Sequence, residues 1–69
     1  MEIVLNNRQE NLPIEKDILT VTELLQAKSF TYKMLIVRVN DVLIKKENYS
    51  TATIKNGDNV QVIHLISGG

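Results

Sequence analysis

The sequence predicts a single α+β domain: a small mixed sheet of four to five strands packed over one short helix. Three observations carry that reading. Apolar and polar residues alternate near the start ("MEIVLN"), in the middle ("MLIVRVN") and at the end ("VQVIHLIS"), the period of extended chain. One stretch, "TVTELLQAKSF", switches to a helical period. A length of 69 residues allows one core and no second.

Taken in order, "MEIVLN" turns Ile3 and Leu5 one way and Glu2, Val4 and Asn6 the other, as a half-buried strand does. "NRQEN" reads as polar turn material. "LPIEKDIL" reads as a second extended segment, with Pro13 suited to an edge. Thr20 followed by Glu23 forms a capping box. Val21, Leu24, Leu25 and Lys28 then fall at helical spacing, predicting a helix over residues 21–28. An isolated helix so short does not persist in water, so packing must hold it. In "MLIVRVN", Leu35, Val37 and Val39 share one face, Ile36 and Arg38 the other. Asn40-Asp41 allows a tight turn into "VLI". "KKENYSTATI" is weaker and reads as a loop or helical turn near 47–50. Asn56-Gly57 is a turn in which both residues tolerate positive φ. In the last strand Val60, Val62, His64 and Ile66 alternate against Gln61, Ile63 and Leu65. First and last strands can pair in the sheet's centre, and the crossover through the helix favours parallel pairing.

Composition excludes several functions. Eight basic residues balance eight acidic ones, so the basic footprint of a nucleic-acid binder is missing. No apolar run reaches the roughly 18 residues of a membrane span. The N-terminus lacks the basic and long apolar regions of a leader, so the reading is a soluble cytoplasmic protein. With no cysteine there is no disulfide and no internal thiol nucleophile. The single histidine has no second metal ligand beside it. No nucleophile is paired with a base and no Gly-rich loop cradles phosphate, so the chain reads as a non-enzyme.

The ending "LISGG" asks why a strand should run into two bare glycines. They are either a frayed terminus or a tail meant for another protein's active site. Here the residues resemble a known family. "NGDNVQVIHLISGG" is similar to the ending of the small sulfur-carrier proteins of thiamine biosynthesis, the ThiS family. "TVTELL" and "VRVND" match that family too, and the resemblance covers essentially the whole chain.

The resemblance implies a ubiquitin-like β-grasp fold over residues 1–69, with 67–69 as a flexible tail. It also implies that Gly69 is the point of sulfur attachment. An E1-like adenylating enzyme would activate its carboxylate with ATP, a persulfide would supply sulfur, and the thiocarboxylate would serve thiazole synthase. This chain would bind no cofactor itself and be a monomer when free. Gly68 and Gly69, lacking Cβ atoms, would let the tail thread a narrow channel.

In a β-grasp sheet the first, third and last strands are neighbours. Val4, Ile36, Ile63 and Leu65 would then form one solvent-facing apolar patch, expected to dock both partner enzymes. Arg38, beside it, reads as a solvated side chain. Asp58 reads as the cap of its turn. His64 reads as partly exposed, with its polar tip in water.

Other roles for such a tail are the small subunit of molybdopterin synthase, a carrier for another pathway, and a ubiquitin-like protein modifier. The first usually has a longer chain and prolines before its glycines, whereas this chain has "LIS" there and its one proline at position 13. A modifier would differ in product, a lysine-linked adduct in place of a thiocarboxylate. A β-grasp binding module without tail chemistry is disfavoured by zero net charge and two tyrosines without clustered bases.

Overall fold

The computed structural model describes residues 1–30 and 34–65. Its main sheet has five strands in the order β2-β1-β7-β4-β5. These are β1 (Glu2–Leu5), β2 (Arg8–Asn11), β4 (Leu35–Val39), β5 (Val42–Ile44) and β7 (Asn59–His64). A second, two-stranded sheet pairs β3 (Ile18–Thr20) with β6 (Thr53–Lys55), and β3 runs directly into the α-helix of the described residues, α1 (Val21–Ala27). The first and last strands do meet in the centre. β1 and β7 run parallel, with Val4 opposite Asn59 and Leu5 opposite Val60. All other pairings are antiparallel.

Two two-residue turns set the hairpins. Asn6 and Asn7 have φ of 52° and 67°, and Asn40 and Asp41 have 50° and 68°. Positive φ at both central residues is the type I′ geometry, whose twist suits paired strands and which Asn and Asp tolerate. The first turn corrects the sequence reading of "NRQEN". The turn lies one residue earlier, and Arg8–Asn11 is strand β2. An edge strand exposed to water needs no apolar alternation, so its pairing left no hydrophobic signal. In the turn before β7, only Gly57 takes positive φ, at 85°. Asn56 serves instead through its side chain, whose Oδ1 accepts from Glu2 N at 2.8 Å.

At the helix N-terminus each exposed donor is met. Val21 N donates to Ala52 O at 3.0 Å and Thr22 N to Tyr49 O at 2.9 Å, both from the segment around a short 3₁₀ turn at Lys46–Asn48. Glu23 N donates to Thr20 Oγ1 at 3.1 Å, and Thr20 N returns to Glu23 Oε1 at 3.1 Å, the expected capping box. Lys16 adds an ion pair to Glu23 at 2.6 Å. That hydrogen bond first, and the Thr20 backbone second, hold the Glu23 carboxyl at about 2 against an ordinary 4.5. The C-terminus closes as a Schellman motif around Ser29 at φ 57°. Phe30 N reaches Leu25 O at 2.8 Å and Ser29 N reaches Gln26 O at 3.1 Å.

The core fills the space between the main sheet's inner face and α1. Ile3, Leu5, Val37, Val39, Val60 and Val62 point in from the sheet, against Val21 and Leu24 of the helix and Leu19 and Ile54 of the smaller pair. Complete burial of one such side chain stabilises by about 1.5–3 kcal/mol. "LPIEKDIL" is less regular than its sequence reading. Only Ile18–Thr20 forms a strand, and it pairs with β6. Before it, Leu12 is buried, while the Met1 ammonium donates to the carbonyls of Leu12 and Ile14, each at 3.0 Å.

Candidate functional site

The site begins where β7 ends. Held between β1 and β4, β7 is the sheet's central strand and carries the chain toward its C-terminus. Its ladder with β4 extends one residue further, with Leu65 N donating to Met34 O at 2.9 Å. Gly68 and Gly69, the residues assigned to sulfur chemistry from the sequence, lie outside the described residues.

On its other side, β7 outlasts its partner, because β1 turns away after Leu5. Asn6 fills the gap. Its backbone N–H donates to Val60 O at 2.9 Å. Its side-chain amide donates to Val62 O at 3.2 Å and accepts from Val62 N at 2.8 Å. A side-chain amide thus supplies one rung of the parallel ladder, and the backbone groups of Val62 stay paired.

Three of the four predicted patch residues come together. Ile36 lies directly opposite Ile63 in the β4–β7 register, and Leu65 follows two residues on along the same face. Ile63 and Leu65 are 44% and 46% exposed, and Ile36 is half-buried. Val4 does not join them. Parallel pairing sets it opposite Asn59, four positions before Ile63, which is roughly 13 Å along the strand. Val4 instead lines an open groove with Glu2, Gln9 and Gly57.

Two residues the sequence reading passed over extend the patch. Met34, 54% exposed, is beside Leu65, one strand alternation before Ile36. Leu43, 58% exposed, is opposite Arg38 on the same face. Both carried a usable signal. Met34 continues the Ile36–Arg38 alternation, and the Asn40-Asp41 turn fixes Leu43 across from Arg38. Arg38 itself is exposed, flanked by Leu43 and Gln61, and takes part in neither of the ion pairs seen among the described residues, Lys16–Glu23 and Lys28–Glu10.

Asp58 caps its turn as expected, Oδ2 accepting from Lys55 N at 3.0 Å. His64 departs from expectation. The residue is half-buried, but its Nε2 is shielded from water, and its ring stands edge-on to Phe30 with centroids 5.7 Å apart. The Schellman turn after α1 delivers Phe30 to that position, a tertiary contact invisible in strand alternation. Among the described residues, no three potential ligands gather into a metal centre, and no helix is long and apolar enough to cross a membrane.

Comparison with known proteins places this geometry. The ThiS family model matches residues 3–69, nearly the whole chain and through its final glycine. The chain is 31% identical over 55 residues to the sulfur carrier protein ThiS of Bacillus subtilis (strain 168), covering 80% of this chain and 83% of that one. The crystal structure of the thiamine biosynthesis protein ThiS from Geobacter metallireducens superposes with a TM-score of 0.87 at 27% identity, each chain covered completely. The solution structure of the Geobacter metallireducens thiamine biosynthesis protein gives a TM-score of 0.81, again at 27% identity, covering all of this chain and 88% of that one. The likeness in fold is to a β-grasp protein.

Proposed function

The chain belongs to the ThiS family, and from that membership we propose that it is a sulfur carrier for thiamine biosynthesis working through the carboxylate of Gly69. The observation that carries the proposal is the family match, which runs through Gly68 and Gly69. A carboxylate is a poor electrophile and must be activated before sulfur can enter. In the proposed cycle an E1-like adenylating enzyme presents ATP. A Gly69 carboxylate oxygen attacks the α-phosphorus, pyrophosphate leaves, and an acyl adenylate remains. The terminal sulfur of a persulfide donor then attacks the acyl carbon, and AMP departs. A thiol cleaves the resulting acyl disulfide and forms a new disulfide with the donor sulfur. The thiocarboxylate left on Gly69 supplies thiazole synthase. The chain is a co-substrate throughout and not itself a catalyst.

What the chain must contribute is position. Tethering the carboxylate beside ATP replaces a bimolecular encounter, and alignment supplies much of the acceleration. We assign the docking to Ile36, Ile63 and Leu65, extended by Met34 and Leu43, with Val4 outside the surface. A mostly apolar face of this kind marks an interface. The four residues after Leu65 span at most about 3.6 Å each, roughly 14 Å in all. The partner's docking surface and its ATP therefore lie within that reach of one another.

Adenylation is reversible, which gives a direct test. With the adenylating enzyme and this protein together, label should pass from pyrophosphate into ATP. Deleting Gly69 should abolish the exchange, and Gly68→Val should slow it sharply. Exchange that continues at full rate without Gly69 would refute the assignment.

A further inference from the structure

The chain has two methionines and no cysteine, so its thioethers hold all of its sulfur. Met1 is half-buried against the core, and its ammonium is fixed by the Leu12 and Ile14 carbonyls. Met34 is 54% exposed. Its carbonyl accepts from Leu65 N at 2.9 Å, and it lies on the same face as the Ile36–Ile63 pair. The more exposed methionine is therefore within the apolar surface assigned above to docking.

We propose that Met34 is a peroxide-sensitive switch on that surface, and that oxidation of its thioether to the sulfoxide releases the partner enzymes. The proposal rests on the docking reading. In the step, one oxygen passes from hydrogen peroxide to the Met34 sulfur. The sulfur gives up two electrons, the O–O bond breaks, and water leaves. A flexible apolar side chain becomes a polar one. The new S–O dipole has to be stripped of water whenever the face is covered, which penalises the complex. The free protein is little affected, because Met34 is already 54% exposed. A methionine sulfoxide reductase, drawing two electrons from a thiol, restores the thioether.

The test uses the full-length protein before sulfur loading. Hydrogen peroxide is applied, peptide mapping locates the added oxygen, and the product is titrated against the adenylating enzyme. Oxygen should enter at Met34 ahead of Met1 and weaken binding about tenfold, the effect of spoiling one energetically important interface contact. Met34→Leu should show the same affinity before and after peroxide, whatever its own starting value. Met34→Gln should keep its thermal midpoint yet bind as weakly as the oxidised protein. Unchanged affinity with Met34 fully oxidised would overturn the switch and leave the docking face standing. Untreated protein that fails to bind the adenylating enzyme would overturn the docking reading and the switch with it.

Discussion

Asn40 and Asp58, distant in sequence, are joined by a 3.0 Å hydrogen bond from the Asn40 side-chain amide to Asp58 Oδ1. The bond ties the β4–β5 turn to the turn before β7. Its surroundings are fully committed. Asp58 Oδ2 accepts from Lys55 N at 3.0 Å, and Asn40 Oδ1 accepts from Asn59 N at 2.9 Å. Asn40 N also donates to Asn59 O at 2.7 Å. Asp58 is the buried charged residue of the described structure, 7% exposed, and these donors satisfy its carboxylate. Replacing it by Ala strands the Lys55 amide and the Asn40 side chain together. The expected loss is about 1.5–3 kcal/mol in urea unfolding, a large share of the stability of so small a domain.

Asn6 holds β7 where β1 has already turned away. Asn6→Ala removes both side-chain bonds to Val62 and strains a backbone at φ 52°. Asn6→Gly removes the same bonds but accepts that φ. Both variants should speed amide exchange at Val62, and only Ala should add a backbone penalty of about 1 kcal/mol. Equal stability of the two would show that the turn tolerates any residue.

The capping box sets an acid limit. The Glu23 carboxyl is held down from 4.5 to about 2, so the folded state favours its charged form. Stability from this source is complete above pH 4.5 and fades as the pH falls toward 2. Glu23→Gln keeps the cap but cannot titrate. Its thermal midpoint should lie below the parent's at neutral pH, with the gap closing across that window. Added salt should narrow the gap, because the Lys16 pair is exposed.

Ile63→Asp separates docking from folding. With 44% of its surface already exposed, Ile63 contributes less to stability than a buried strand residue does. The variant should fold normally, yet bind the adenylating enzyme at least about tenfold more weakly in calorimetric titration. Val4→Asp should leave that affinity unchanged, because Val4 lies apart on β1. If Val4→Asp weakens binding as much as Ile63→Asp, the surface has been drawn too small.

How much of this was legible in the sequence depended on how strongly each residue was committed to a local pattern. β1, β4 and β7 announce themselves because they alternate and are buried on one face. Thr20 and Glu23 do so because a capping box is a contact three residues long. β2 is silent, since Arg8, Gln9, Glu10 and Asn11 satisfy no apolar rule and take their pairing from the Asn6-Asn7 turn. β3 and β6 are three residues each, too short to display an alternation, and each meets its partner only across the fold. The patch was legible as a set of outward residues but not as a shape. Alternation says that Val4 and Ile63 share a face, whereas only the parallel register says how far apart they are. His64 was misjudged for the same reason, since Phe30 reaches it across the fold.

Sulfur on Gly69 would be visible in the intact mass of the protein. The protein is incubated with ATP, a persulfide source and its adenylating enzyme, then weighed. The mass should rise by the exchange of one oxygen for sulfur, and the rise should be absent when Gly69 is removed. An unchanged mass, while the same enzyme loads sulfur onto another carrier, would contradict sulfur attachment at Gly69.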